Sequence, residues 1–180
     1  MIFGDPSRFA IWIDKVQEWG SGAFVGGLFH FIVDGSIFPD SVKSSTLFTD
    51  ILSLLDVSSP LVTFQEDQVL FEMRADEAFR RAVATTYPEA LDTELTTNSH
   101  RFKASTENID DFGFTVFAIS HEERVRLIGA KRSELCRYEG RAQWVEIQNY
   151  QVKEAVLSKS EVRKIIADVS RYRADLESTP

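Results

Sequence analysis

Residues 26–40, GGLFHFIVDGSIFPD, limit what this chain can fold into more than any other stretch. The run GLFHFIV is apolar at almost every position, which is typical of a strand inside a sheet that is covered on both faces. Asp34-Gly35 follows, a dipeptide preferred in two-residue turns because such turns require positive φ. The short run SIF then ends at Pro39, which cannot donate a ladder hydrogen bond. The pattern predicts a buried β-hairpin.

A membrane segment is the main alternative for this apolar stretch. The weakly charged run over residues 20–33 has 14 residues, four of them glycine, whereas a spanning helix needs about 20 apolar residues. Nearer the N-terminus, Asp5 and Arg8 interrupt the apolar residues before the core of a signal peptide could form. We therefore expect no membrane segment and no signal peptide.

Alternating apolar residues predict further strands along the chain. In residues 8–16, for example, Phe9, Ile11 and Ile13 share one face of the predicted strand. Residues 62–74 read as strand, turn and strand, and residues 100–104 as a short strand. The other predicted strands are residues 114–120 and 124–130, which HEE joins as a second hairpin, and residues 142–150.

Three segments instead have helical spacing, at residues 45–57, 75–87 and 158–177. Ser45 or Thr46 can cap the first, and Ser158 with Glu161 forms an S-x-x-E capping box at the start of the third. Strands outnumber helices and are grouped by hairpins. The sequence therefore predicts a single α+β domain over residues 1–180, with a mainly antiparallel sheet packed against about three helices.

Histidine and cysteine offer little catalytic or metal-binding chemistry in this sequence. The chain has one cysteine, Cys136, and three histidines, none at a spacing typical of zinc sites. No nucleophile or phosphate-binding motif is present either, so we expect no cofactor and no metal. His30 lies between two phenylalanines, and we interpret it as a core histidine whose ring is satisfied by a backbone carbonyl. A hydrolase that uses a carboxylate and His30, His100 or His121 stays open as an alternative.

Charge is distributed unevenly along the chain. The net charge is −8, and residues 1–118 hold 18 Asp and Glu against 8 Lys and Arg. Such a field disfavours nucleic acid as a partner and favours a basic protein, although acidity also serves solubility alone. The lone cysteine fits a reducing compartment such as the bacterial cytoplasm.

Acidic residues cluster in segments that we expect to be polar turns and helix starts, where they can face another protein without being desolvated in the core. Glu89, Asp92 and Glu94 form one such cluster. The predicted partner-binding residues are Glu66, Asp67, Glu72, Asp76, Glu77, Glu107, Asp110 and Asp111.

The N-terminal forty residues and, more loosely, residues 112–150 resemble the immunity protein 42 family of bacterial polymorphic toxin and contact-dependent inhibition systems. The similarity lies in Gly4-Asp5-Pro6, Phe9-Ala10, the segment from Gly27 to the Asp34-Gly35 turn, and Pro39. It implies a cytoplasmic protein that is not an enzyme and that binds a cognate secreted toxin domain, such as a basic nuclease, and neutralises it by stoichiometric occlusion. An interaction module without a toxin partner is the remaining alternative. The oligomeric state is not specified by these patterns.

Overall fold

The predicted hairpin lies in the first of three antiparallel sheets, the last of them a two-stranded ribbon, in the computed structural model, which describes residues 1–20, 25–88, 99–138 and 140–178. The strands of this first sheet are β1 (Ile2–Asp5), β2 (Phe9–Lys15), β3 (Gly26–Val33), β4 (Ser36–Phe38) and β5 (Ser45–Thr46). Every residue of β3 is buried, and the strand pairs with β2 on one edge and with β4 and β5 on the other. Asp34 and Gly35 have φ of 48° and 69°. The predicted strand–turn–strand is confirmed.

The second sheet consists of the antiparallel strands β6 (Phe114–His121), β7 (Arg124–Lys131) and β10 (Lys153–Ser158), in the order β10-β7-β6. Strands β8 (Ser133–Tyr138) and β9 (Arg141–Glu146), which lie between β7 and β10 in the sequence, pair as a separate two-stranded ribbon. The hairpin of β6 and β7 is the one predicted at HEE. Outside these strands, residues 100–104 form only a single bridge, from Lys103 to Phe117 of β6, so the strand predicted there is wrong.

Helices cover both faces of the second sheet. In the described residues they are α1 (Leu47–Leu55), α2 (Pro60–Thr63), α3 (Gln68–Glu72), α4 (Ala75–Thr86), α5 (Glu107–Asp111) and α6 (Lys159–Ser178), with one 3₁₀ turn at Gln17–Trp19. The three long helices, α1, α4 and α6, are those predicted from helical spacing. The capping box of α6 also forms, because Glu161 accepts a hydrogen bond from the Ser158 amide and the Ser158 hydroxyl accepts one from the Glu161 amide. None of the described helices is long and apolar enough to cross a membrane.

The two faces of the second sheet belong to two different cores. One face, with Val116 and Leu127, packs into the main core together with Phe9 and Phe31 of the first sheet and Val169 of α6. The opposite face carries Phe117, Ile119, Ile128 and Ala130, which pack against α3 and α4. This alternation along β6 and β7 explains why both strands read as continuous apolar runs.

The prediction for residues 62–74 is wrong, since helices α2 and α3 replace the two strands. Local capping decides the outcome. Ser59 caps α2 through the Leu61 amide, with Pro60 at the first helical position, and the Asp67 carboxylate accepts a 2.9 Å hydrogen bond from the Leu70 amide at the start of α3.

Several strands differ from the prediction. The strand predicted over residues 142–150 ends at Glu146, and the sequence patterns do not predict β1, β8 and β10. Ser45 and Thr46, predicted as the start of a helix, form β5, and α1 begins at Leu47. The ribbon strands are difficult to recognise because nearly all of their residues are exposed, so no buried face imposes a pattern.

Candidate functional site

The eight acidic residues predicted to bind a partner lie in two separate regions of the fold. Five surround helices α2 to α4, and three lie on α5. The first group is Glu66, Asp67, Glu72, Asp76 and Glu77, and the second is Glu107, Asp110 and Asp111. Three other acidic residues, Glu89, Asp92 and Glu94, lie outside the described residues.

Half of the eight carboxylates are already paired with cations of the same chain. The pairs are Glu66 with Lys159 at 2.5 Å, Asp67 with Arg101 at 2.9 Å, Asp76 with Arg74 at 3.4 Å, and Asp110 with Lys103. An ion pair at a surface is worth little for stability, but it cancels most of the field that each carboxylate would present to a partner. The formal count of acidic residues therefore overstates the charge that this surface can offer.

Asp110 is held inside the fold. Its side chain is 13% exposed, and it accepts hydrogen bonds from Tyr87 at 2.9 Å, Ser105 at 2.7 Å and Thr115 at 3.3 Å, in addition to the Lys103 ion pair. Burial and the neighbouring Asp110 carboxylate together raise the pKa of Tyr87 well above its usual range. The carboxylate of Asp110 thus organises the packing of α5 against the end of α4.

The other four carboxylates are exposed. Glu72 accepts a hydrogen bond from Gln68 one turn earlier, and within the described ranges Glu77, Glu107 and Asp111 form no ion pair. Glu77, Glu107 and Asp111 can therefore be offered to a partner without first breaking an internal ion pair, and Glu72 at the cost of one exposed hydrogen bond.

Two large open clefts border α5, and a smaller one of about 180 Å³ reaches Asn108 of the same helix. The first, of about 470 Å³, runs between the two acidic regions and is lined by Gln65, His100, Arg101 and Glu107, among others. The second, of about 660 Å³, lies between α5 and the β8–β9 ribbon. Its lining residues are Tyr87, Asp110, Asp111, Arg132, Ser133, Trp144 and Glu146.

The histidines do not assemble into a catalytic site in the described part of the chain. His30 is fully buried, stacks on Trp12 at 5.4 Å between ring centroids, and contacts the Pro39 carbonyl through Nδ1 at 3.3 Å. Burial lowers the pKa of His30, which keeps the ring neutral. His100 shares a cleft with Glu107, but no hydrogen bond joins it to a carboxylate.

Metal-binding geometry is likewise not found in residues 1–20, 25–88, 99–138 and 140–178. No group of three or more histidine, cysteine or acidic side chains within these ranges could hold a metal ion.

Strand β8, and with it the pairing of β8 and β9 into a ribbon, is the feature that sequence reasoning missed at this site, whereas β9 lies in the strand predicted over residues 142–150. Trp144 and Glu146 line the second cleft, and Leu135, Tyr138 and Val145 are exposed beside them. The signal that could have found the ribbon is the glycine at 140 between two six-residue runs, a spacing typical of hairpins.

Comparison with known proteins decides which family has this architecture. A family profile described as Immunity protein 42 matches residues 1–172. The chain belongs to the immunity protein 42 family. As an immunity protein it neutralises a toxin and is not itself an enzyme. The match over residues 1–172 also shows that the similarity to this family extends over nearly the whole chain.

A solved structure supports the same assignment. The crystal structure of CdiI from Burkholderia dolosa AUO158 is similar to this immunity protein, with a TM-score of 0.73 and 25% sequence identity. The match covers 96% of this chain and 99% of that chain, so the α+β fold is shared from end to end. A search of curated proteins found no match.

Proposed function

We propose that this immunity protein acts in the cytoplasm by stoichiometric occlusion of one cognate toxin domain from a contact-dependent inhibition system. The observation that carries the proposal is the family match over residues 1–172, supported by the similarity to CdiI. An inhibitor of this kind binds the toxin and covers a surface that the toxin needs for its activity.

The charge of the chain favours a basic toxin. Residues 1–118 carry 18 acidic against 8 basic residues, and complementary charge speeds association and disfavours wrong partners. Among toxin classes we favour a nuclease, because a protein that binds nucleic acid needs a basic face of its own.

The contact surface that we propose includes the predicted acidic residues around α2 to α4 and on α5. Within that set, Glu72, Glu77, Glu107 and Asp111 are the residues expected to meet the toxin directly. Glu66, Asp67, Asp76 and Asp110 contribute less, because each already has a cationic partner.

The test is a titration of toxin activity by the purified immunity protein. The toxin domain encoded by the reading frame next to this gene is assayed on its own substrate at a concentration far above the dissociation constant. Occlusion predicts a linear loss of activity that ends at one immunity protein per toxin. Full inactivation by a small fraction of an equivalent would indicate an enzyme instead, and undiminished activity at excess immunity protein would refute the pairing.

A cellular experiment supplies the control. Co-expression with the wild-type chain is expected to restore growth to cells that produce this toxin, whereas co-expression with an unrelated immunity protein is not. Equal rescue by both would show that protection does not depend on specific binding.

A further inference from the structure

The β8–β9 ribbon exposes an unusual amount of apolar surface. It pairs with no other strand in the described part of the chain, and four of its large side chains are 44–70% exposed: Leu135, Tyr138, Trp144 and Val145. A two-stranded ribbon is only marginally stable by itself, and clustered exposed apolar side chains are typical of protein interaction sites.

The strand register divides these side chains between two faces. Leu135 is directly opposite Trp144, so both lie on one face, which also carries Glu146. Val145, opposite Glu134, lies on the other face with Tyr138. The Trp144 face is turned to the second cleft, because Trp144 and Glu146 both line it. The Trp144 ring also lies close to Gly113, just after α5, since a Cβ placed on Gly113 would be 3.0 Å from Cζ3 of the ring.

This cleft combines aromatic side chains with an acidic rim. Tyr87 and Trp144 supply the aromatic surface, and the exposed Asp111 and Glu146 supply carboxylates that have no ion pair within the described ranges. The cationic group of the cleft is Arg132, whose guanidinium carbon lies 4.3 Å from the centroid of the Tyr87 ring.

The chemistry that fits such a cleft is a cation on a long apolar stem. Arginine and lysine bury their stems on apolar surface and keep the charged head in polar surroundings, and a cation over an indole ring gains further attraction. A second copy of this chain is a poor occupant, because two copies of net charge −8 repel each other.

We propose that the cleft and the Leu135–Trp144 face of the ribbon are the docking surface for a basic segment of the toxin. An arginine or lysine of that segment packs its stem on Trp144 and places its charged group between Asp111 and Glu146. This inference rests on the proposed function and identifies the part of the surface that carries most of the binding energy.

The ribbon provides its own matched controls. Trp144→Ala and Glu146→Lys change the face turned to the cleft, while Tyr138→Ala and Glu134→Lys make comparable changes on the opposite face. Each variant is checked for folding by circular dichroism, and its dissociation constant for the toxin domain encoded by the neighbouring reading frame is measured by surface plasmon resonance.

We expect each cleft variant to weaken binding by about 30-fold or more, as is usual for a central aromatic anchor or a reversed charge. The two control variants are expected to stay within about threefold of wild type, the range typical of peripheral positions. If Trp144→Ala fails to fold, the exposed Glu146→Lys variant still decides the question.

The alternatives give distinct results. Tight wild-type binding that none of the four variants weakens would place the docking surface elsewhere and leave the proposed function intact. No wild-type binding would refute both. If light scattering shows a wild-type dimer that Trp144→Ala dissociates without weakening toxin binding, a second copy occupies the cleft and the proposal is wrong.

Discussion

The phenol of Tyr87 donates a 2.9 Å hydrogen bond to Oδ2 of Asp110, and this contact joins the end of α4 to α5. Ser105, Thr115 and Lys103 converge on the same carboxylate. The neighbouring Asp111 is exposed and makes no such contacts with the residues that the structure describes. Two adjacent carboxylates of one short helix therefore have different physical roles.

Replacing the two aspartates by alanine should separate these roles. We expect Asp110→Ala to lower the free energy of unfolding by about 3 kcal/mol, because it leaves Tyr87, Ser105 and a half-buried Lys103 without their acceptor. Asp111→Ala should change stability by less than about 0.5 kcal/mol, as is usual for an exposed residue. Urea unfolding of both variants measures the difference, and equal losses would contradict the structural role of Asp110.

The capping box of α6 predicts a pH dependence of stability. Hydrogen bonds from Ser158 and then from Arg8 lower the pKa of Glu161 from 4.5 to about 2. Because the folded-state pKa lies below the unfolded-state value, this contribution is complete above about pH 4.5 and is lost as the pH falls towards about 2. The side chain is 44% exposed, so solvent screening limits the effect to about 1 kcal/mol or less.

Glu161→Gln provides the comparison for that prediction. At neutral pH we expect the variant to be less stable than wild type, and the difference should shrink steadily in urea unfolding experiments between pH 4.5 and pH 2.5. A difference that stays constant over this range would show that the Glu161 charge does not contribute.

Sequence reasoning succeeded where one local signal and the core agree. The hairpin after β3 combines a turn motif with a buried strand, and α6 combines a capping box with a buried apolar face. Helices α1 and α4 begin without a side-chain cap, so the cap predicted at Ser45 or Thr46 is wrong and their apolar faces alone predicted them. Sequence reasoning failed at residues 62–74, where apolar residues alternate but Ser59 and Asp67 cap two short helices instead. Capping by one side chain just before the run and by another in its presumed turn is difficult to detect from the apolar pattern alone.

The site was harder to predict than the fold, for a physical reason. The acidic residues are visible in the sequence, but their internal partners are distant in the chain: Lys159 is 93 residues from Glu66, and Arg101 is 34 residues from Asp67. Which carboxylates remain available to a partner depends on these long-range pairs. The exposure of the ribbon could not be predicted from the sequence either, because leucine and tryptophan, the residue types at positions 135 and 144, are usually buried.

The carboxyl group of Asp50 predicts a pH dependence of stability that is opposite in sign to that of Glu161. The residue is buried, and Oδ2 accepts hydrogen bonds from Ser45 and, at 2.9 Å, from Asn108. Burial raises the pKa of Asp50. Because the folded-state pKa lies above the unfolded-state value, ionised Asp50 costs stability at neutral pH, and this cost disappears as the pH falls through the raised pKa towards 3.8.

An asparagine at position 50 should remove that cost, since its amide oxygen can accept both hydrogen bonds without a charge. We expect Asp50→Asn to raise the free energy of unfolding at pH 7 and to lose this advantage over wild type as the pH falls below 3.8. Asp50→Ala should instead destabilise by about 2 kcal/mol, because Ser45 and Asn108 lose their acceptor. Urea unfolding of the three proteins at pH 7 and pH 3.5 tests this, and a less stable asparagine variant at pH 7 would contradict it.

Two glycines of the predicted hairpin are expected to differ in what an added methyl group costs. Gly35 has a φ of 69°, and nothing lies within 4 Å of the position that a Cβ would take. Gly35→Ala should therefore cost only the strain of a left-handed backbone, about 1 kcal/mol.

At Gly27 a Cβ would lie 2.1 Å from the Asp14 carbonyl oxygen and 2.7 Å from Leu47 Cδ1. That clash involves the backbone of the paired strand β2, so Gly27→Ala should cost about 3 kcal/mol or more. Urea unfolding of the two variants gives the comparison, and a Gly27→Ala variant as stable as Gly35→Ala would mean that β2 and β3 can separate without loss of packing.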